Sequence, residues 1–256
     1  MHYFVGWDVG GWNCSRKSES QDALAVLALN GNSLQIQGKV FRGPIRDEIN
    51  RCSTLFEIVN EKCRTKIQES DEITIAIDTP LGLPSAVQSL VAGGNLPSEI
   101  PEDYSCNPYL YRVTEMWLFS QAFPPLSVIK DMIGSQATKG MHLLRKLNMK
   151  VVADECGVWR NGSVTAIESY PTTCKRSENE GYICAGSQIA QRLFDSLAGA
   201  IGLARVDQID AVHCALIAYL FATDKSQLYP PTNNPPVSEG WIWIPRDATG
   251  RIQKTT

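Results

Sequence analysis

Several common chemistries leave no mark on this chain. Its eight cysteines (Cys14, Cys52, Cys63, Cys106, Cys156, Cys174, Cys184 and Cys214) form no C-x-x-C pair, and the three histidines complete no Cys/His ladder. That argues against a zinc site. Cys52, Cys63 and Cys214 fall in helical patterns as small hydrophobes, which suits a reduced, cytoplasmic protein. No Walker stretch and no Gly-x-Gly-x-x-Gly turn is present. Basic residues are not in excess: 24 Lys and Arg against 27 Asp and Glu give a formal charge of -3. This excludes a broad, non-specific nucleic-acid binder while leaving room for a local basic groove. No apolar run reads as long enough to span a bilayer, and strand residues from Tyr3 stand where a signal peptide would begin. Internal repeats and low-complexity tracts are missing too.

What is present begins with Tyr3-Phe4-Val5-Gly6-Trp7-Asp8-Val9-Gly10-Gly11. Tyr3, Val5, Trp7 and Val9 alternate on one face of a strand, and Asp8 stands at its end before two glycines. A polar loop, 12–21, leads to the apolar run 22–29. Asn30-Gly31-Asn32 then signals a hairpin into Leu34, Ile36 and Val40. The first three strands therefore read as an antiparallel meander. Ile45, Ile49, Cys52, Phe56, Val59, Cys63 and Ile67 step by three and four, predicting one amphipathic helix. A buried strand over 72–78 ends in Asp78-Thr79-Pro80.

Residues 84–108, rich in Pro, Gly and Ser, read as an irregular excursion or lid. Helices follow over 109–121 and within 130–147, the second ending in a basic stretch that includes Lys139 and Arg145. Val164 to Ser169 reads as a strand carrying Glu168. A helix follows on Ala190, Leu193, Phe194, Leu197 and Ile201, and another over 207–221 with Asp207 as its N-cap. A Pro-rich loop, a closing strand (Trp241-Ile-Trp243) and a polar tail complete 224–256. The whole reads as one α/β domain.

Asp8, Asp78 and Glu168 thus lie at or near strand ends, and Asp210 lies on a late helix. Taken singly, Asp8 fits turn chemistry, Asp78 a turn or cap, Glu168 an ordinary ion pair and Asp210 a helix start. Together they form a set of hard oxygen ligands at the carboxyl ends of strands, where open α/β sheets place their sites. Such carboxylates repel one another unless Mg²⁺ or Mn²⁺ neutralises them. Two such ions roughly 3.5–4 Å apart activate water for phosphodiester hydrolysis. Arg112 and the basic residues Lys139 and Arg145 are candidate phosphate contacts, with a helix-surface ion pair from Arg112 to Glu115 and a solvated helix face as the plainer readings. His213, one turn beyond Asp210, is a candidate proton shuttle or else a core histidine.

Gly6-Trp-Asp8-Val-Gly-Gly, Ala76-Ile-Asp78-Thr-Pro-Leu-Gly-Leu-Pro84, Tyr111-Arg-Val-Thr-Glu115, Ile167-Glu-Ser-Tyr-Pro171 and Gln208-Ile-Asp-Ala-Val-His-Cys-Ala-Leu216 stand in this order along the chain. In that order and spacing the chain resembles domain-of-unknown-function family 429, described as predicted nucleases with a ribonuclease H-like fold. The resemblance implies a five-stranded mixed sheet flanked by helices, with Asp8, Asp78, Glu168 and Asp210 as its acidic cluster and DNA or RNA as substrate. The 12–21 loop and the 84–108 excursion are additions placed to cover the cleft, and Glu115, Asp207 and His213 would support the acids from behind.

Two other readings stay open. An actin-like ATP-dependent phosphotransferase also opens with a strand, an Asp-x-Gly-Gly turn and a hairpin. Against it, the chain carries no second Asp-x-Gly phosphate loop. A non-catalytic binding or scaffold module is the third.

Overall fold

A computed structural model describes residues 1–179, 182–197 and 203–253. The N-terminal strand β1 (His2–Asp8) runs antiparallel to β2 (Ala23–Asn30), which turns at Asn30-Gly31 into β3 (Ser33–Ile36). Gly31 takes the left-handed conformation (φ 60°) that such a turn demands. A two-residue strand, β4 (Phe41–Arg42), returns to pair with β2.

The single helix predicted over 45–67 is two helices, α1 (Arg46–Arg51) and α2 (Leu55–Cys63). Ser53-Thr54-Leu-Phe-Glu57 breaks them with a capping box. The Glu57 amide donates to Thr54 Oγ1, and the Glu57 carboxylate accepts from the Ser53 and Thr54 amides. β5 (Glu72–Asp78) then lies parallel to β1, and α3 (Ser85–Val91) and α4 (Val113–Ser120) follow. Next come α5 (Gly134–Lys146), a short β6 (Lys150–Val151), β7 (Val158–Asn161) and β8 (Val164–Ser169).

β9 (Ser177–Asn179) and β10 (Tyr182–Gly186) precede α6 (Gln188–Ser196) and α7 (Val206–Thr223). Ile201, expected in the first of these helices, lies outside the described residues. β11 (Ile242–Trp243) and β12 (Thr249–Gln253) end the chain's described part.

The main sheet is mixed and runs β3-β2-β1-β5-β8-β7-β6, with β4 added beside β2 and β11 beside β8, nine strands in all. The five expected strands, β3, β2, β1, β5 and β8, run contiguously from one edge of it. Beyond them Asn161-Gly162 turns β7 back onto β8, and the expected closing strand, Ile242-Trp243, pairs in parallel with Glu168-Ser169. The presumed polar tail is a strand as well: β12 pairs with β10, and β10 with β9, in a separate three-stranded sheet.

Strand alternation divides the core into two layers. Val5, Trp7, Leu24, Val26, Ile75 and Ile77 pack with α1, α2 and the Leu143–Leu144 turn of α5. Phe4, Ala25, Leu27, Ala76 and Ile167 face α7. By length and composition α7 could cross a membrane, with a mean hydropathy of 1.2 over its 18 residues, contrary to the sequence expectation. Its apolar residues, from Ala211 through Ala218, are buried against the sheet instead.

Gly6 sets how closely α7 approaches. A Cβ there would stand 1.9 Å from the Ala211 carbonyl oxygen and 2.3 Å from the Ala215 amide nitrogen. Gly6→Ala is accordingly expected to destabilise the fold by about 1–3 kcal/mol or more, because the clash is with backbone that has no rotamer to change. Urea denaturation checks this, and an unchanged midpoint would contradict the packing.

Candidate functional site

The two parallel strands β1 and β5 are in register such that Asp8 stands directly opposite Asp78. Both follow residues of the α7-facing layer by one alternation (Gly6 and Ala76), so both carboxylates emerge on the α7 side. The close Gly6 contact brings the first turns of α7, and with them Asp210, to that same side. Neither Asp8 nor Asp78 has a hydrogen bond or ion pair among the described residues. Burial first, and then neighbouring carboxylates, push both acids up. Asp8 rises well above its ordinary value, with Asp78 and Asp210 as the largest charges acting on it. Asp78 rises to about 8, with Asp210 the largest charge opposing its ionisation. Asp210 is also raised by burial, but the Lys175 ammonium, 2.5 Å from its Oδ1, works against that rise.

Glu168 lines the same cleft and its charge helps to raise Asp78, but its carboxylate is already held. It follows Ala166 in alternation, and Ala166 belongs to the opposite layer. Both its oxygens are engaged. Arg112 donates from Nη2 to Oε1 at 2.6 Å and from Nη1 to Oε2 at 2.8 Å, and the Leu81 amide donates to Oε2 at 2.8 Å. Arg112 is completely buried and does not reach a phosphate from the surface. Its remaining donors go to Glu115 and to the Glu239 carbonyl. Glu115, buried with it, is raised chiefly by desolvation. This cluster ties α4 to β8 and to the segment before β11.

Beside Asp78 on the α7 side of β8 stands Ser169. It follows Glu168, the partner of Ile77, so it adjoins Asp78 on the site face. Thr79 Oγ1 is buried without a hydrogen-bond partner among the described residues, Ser169 Oγ lies against the Cys214 thiol, and both residues border the cleft beside the two aspartates. Buried hydroxyls left unpaired are rare enough to need a reason, and a bound group is one.

Lys139 also lies elsewhere than expected. Its ammonium is buried, 2.5 Å from Asp22 Oδ2, and donates to the Gly10 carbonyl at 3.1 Å. Asp22 in turn accepts from the Gly10 amide and from Trp7 Nε1, both at 3.1 Å. This pair, which sequence reading did not anticipate, holds the turn after Asp8 in place. Arg145 sits exposed on α5. Asp207 is not the cap of α7: the helix starts after Arg205, and the Asp207 carboxylate accepts from the Gln21 amide at 2.9 Å and from Arg42 Nε at 3.1 Å. It fastens the end of the 12–21 loop to β4. His213 is buried, stacked 4.7 Å from Phe194, and shares a hydrogen bond at Nδ1 with the Ile209 carbonyl. Burial lowers its pKa to about 4, so it stays neutral at physiological pH.

The acids floor a cleft of about 480 Å³. Its far wall is Phe123, Pro124, Pro125 and Leu126 with Ile133 and Ile242, and no residue of 84–108 lines it. The excursion therefore does not border the cleft; the turn after α4 does. From the 12–21 loop, Ser20 reaches the cleft, while Trp12 docks on α5 through Ser135 and Thr138.

Among the described residues no group of three or more His, Cys, Asp or Glu side chains already converges to hold a metal ion. The donor set nevertheless suits a hard cation. Among the described residues two unpaired carboxylates stand side by side next to the unpaired Thr79 hydroxyl, and Lys175 holds Asp210 beside them. No protein-family model, curated protein or solved structure matches this chain.

Proposed function

We propose that the protein is a divalent-cation-dependent phosphodiesterase on a ribonuclease H-like sheet, acting within a reduced, cytoplasmic setting. What carries the reading is the unpaired Asp8–Asp78 pair, in register at the carboxyl ends of adjacent parallel strands and joined by Asp210 from α7. The meander β3-β2-β1 continued by parallel β5 and β8 supports the fold assignment.

Asp8 and Asp78 would hold Mg²⁺ or Mn²⁺, which when bound supplies Lewis-acid polarisation of a phosphoryl oxygen and a water of lowered pKa. The two aspartates orient that ion toward the cleft. The hydroxyls of Thr79 and Ser169 are placed to position the substrate's oxygens. Asp210 would be the ligand for the second of the two proposed ions if Lys175 released it. Arg112 holds Glu168, and through the Leu81 amide it fixes the 79–83 segment that forms the cleft's edge.

The phosphotransferase alternative asks the Asp8-Val-Gly-Gly11 turn to cradle phosphate with its amides. One amide of that turn and the one that follows it are already committed: Gly10 donates to Asp22, and Trp12 donates to Ser135 Oγ at 2.9 Å. That favours the hydrolase reading.

The test is hydrolysis of bis(p-nitrophenyl) phosphate with Mn²⁺. The expected result is metal-dependent turnover that falls at least about a hundredfold in Asp8→Asn, several kcal/mol of charge stabilisation being at stake. Turnover equal to wild type in that variant would refute the assignment.

A further inference from the structure

The cleft's lining carries information about the substrate that the acid pair does not. Among the described residues that line it there is no lysine and no arginine. The cations that sequence reading assigned to phosphate are spent in the interior or lie away from the lining. Arg112 is buried on Glu115 and Glu168, and Lys139 is buried on Asp22. Lys175, the ammonium closest to the acids, is held by Asp210 and would add a single charge beside the cleft when an ion displaces it. A polynucleotide brings one phosphate per residue of strand and is bound by neutralising several of them at once. This cleft offers no row of charges for that, and the chain as a whole is acidic.

It offers instead a single acidic floor suited to one phosphate through a cation, facing an apolar wall. Phe123, Pro125 and Ile242 are buried in that wall, and Leu126 stands 57% exposed at its lip. The volume of about 480 Å³ falls in the range of pockets that enclose small organic ligands. Gln136, Thr172 and Ser177 add polar side chains to the same lining. One phosphate, one apolar ring and a few hydrogen-bonding groups describe a nucleotide.

Building on the phosphodiesterase reading, we propose that the substrate is a nucleotide-sized phosphodiester, its ring against the 123–126 wall, and not DNA or RNA. The experiment is a binding titration of the full chain in Mn²⁺ with three probes: adenosine 5′-monophosphate as the product-like half, inorganic phosphate, and a 12-nucleotide single-stranded DNA whose intactness is checked afterwards. The nucleotide is expected to bind about tenfold or more tighter than phosphate, because only it covers the apolar wall. The DNA is expected to bind no tighter than the nucleotide, with a salt dependence corresponding to about one phosphate. Leu126→Asp, at an exposed position that leaves the fold intact, is expected to weaken the nucleotide about tenfold and phosphate hardly at all.

DNA bound more than tenfold tighter than the nucleotide, with a salt slope of several charges, would overturn the substrate assignment and leave the phosphodiesterase standing. Phosphate bound as tightly as the nucleotide would also overturn it. If none of the three probes binds, both readings fall.

Discussion

Replacing Arg112 with Met is expected to lower stability by about 3–5 kcal/mol, among the largest losses available to one substitution in this chain. The cause is not the strength of the pair itself. Arg112 and both its acidic partners are sealed from water, with Glu115 and Glu168 each at 1% exposure. Removing the guanidinium leaves two carboxylates buried without a countercharge, and each must protonate or drag water inward. The loss propagates, because the same arginine donates to the Glu239 carbonyl, and the Glu239 carboxylate holds the amides of Ser85 and Val113. Arg112→Lys should recover only part of the loss, since an ammonium cannot present paired donors to Glu168 while also reaching Glu115. Urea denaturation of the three proteins decides it. A Met variant within about 1 kcal/mol of wild type would mean that the cluster is not the structural tie described.

Asp78→Asn should act in the opposite sense on stability while removing function. In the folded protein the Asp78 carboxyl is raised from 3.8 to about 8, burial being the main cause and Asp210 the next. Between those two values the folded chain keeps a proton that the unfolded chain has lost. Stability therefore declines as pH rises through that window, and the destabilisation is full above it. Asparagine carries no charge to desolvate, so the variant should gain stability at pH 8 relative to pH 5, when each is compared with wild type. A bound divalent cation should flatten the wild-type profile in the same way. Denaturation midpoints at the two pH values provide the check. Parallel profiles for wild type and variant would show that Asp78 ionises freely in the folded state.

A site that is more stable when one of its ligands is blunted is what a functional cluster looks like. Like charges held together cost folding energy unless something binds between them.

The sheet's centre could be read from the residues because each cue was local. Alternation at Val5 and Trp7 gave β1, Asn30-Gly31 gave the hairpin, and the apolar run ending in Asp78 gave β5. The pairing of Asp8 with Asp78 followed from both standing at strand ends. What was missed had weaker or longer-range causes. Asn161-Gly162 carries the same turn signal as Asn30-Gly31, yet β7 is only four residues long and includes Asn161, too short for alternation to register. The break between α1 and α2 was present as Ser53-Thr54-x-x-Glu57, but the apolar spacing ran on across it.

Glu168 and Ser169 are neighbours on a strand buried on both faces, so composition gives no parity. Only the register with β5 decides which one meets Asp78. Arg112 and Lys139 looked like surface cations because nothing in sequence shows that Glu168 and Asp22 wait for them in the core. Those two pairs span 56 and 117 positions of chain.

The central claim is that Asp8 and Asp78 together hold a divalent cation. Calorimetric titration of Mn²⁺ into wild type, Asp8→Asn and Asp78→Asn tests it without any assumption about substrate. Saturable binding by wild type that is lost in both variants is the predicted result. Equal binding by all three proteins would place the metal elsewhere, and no binding by wild type would leave the paired acids without the ion that this account assigns to them.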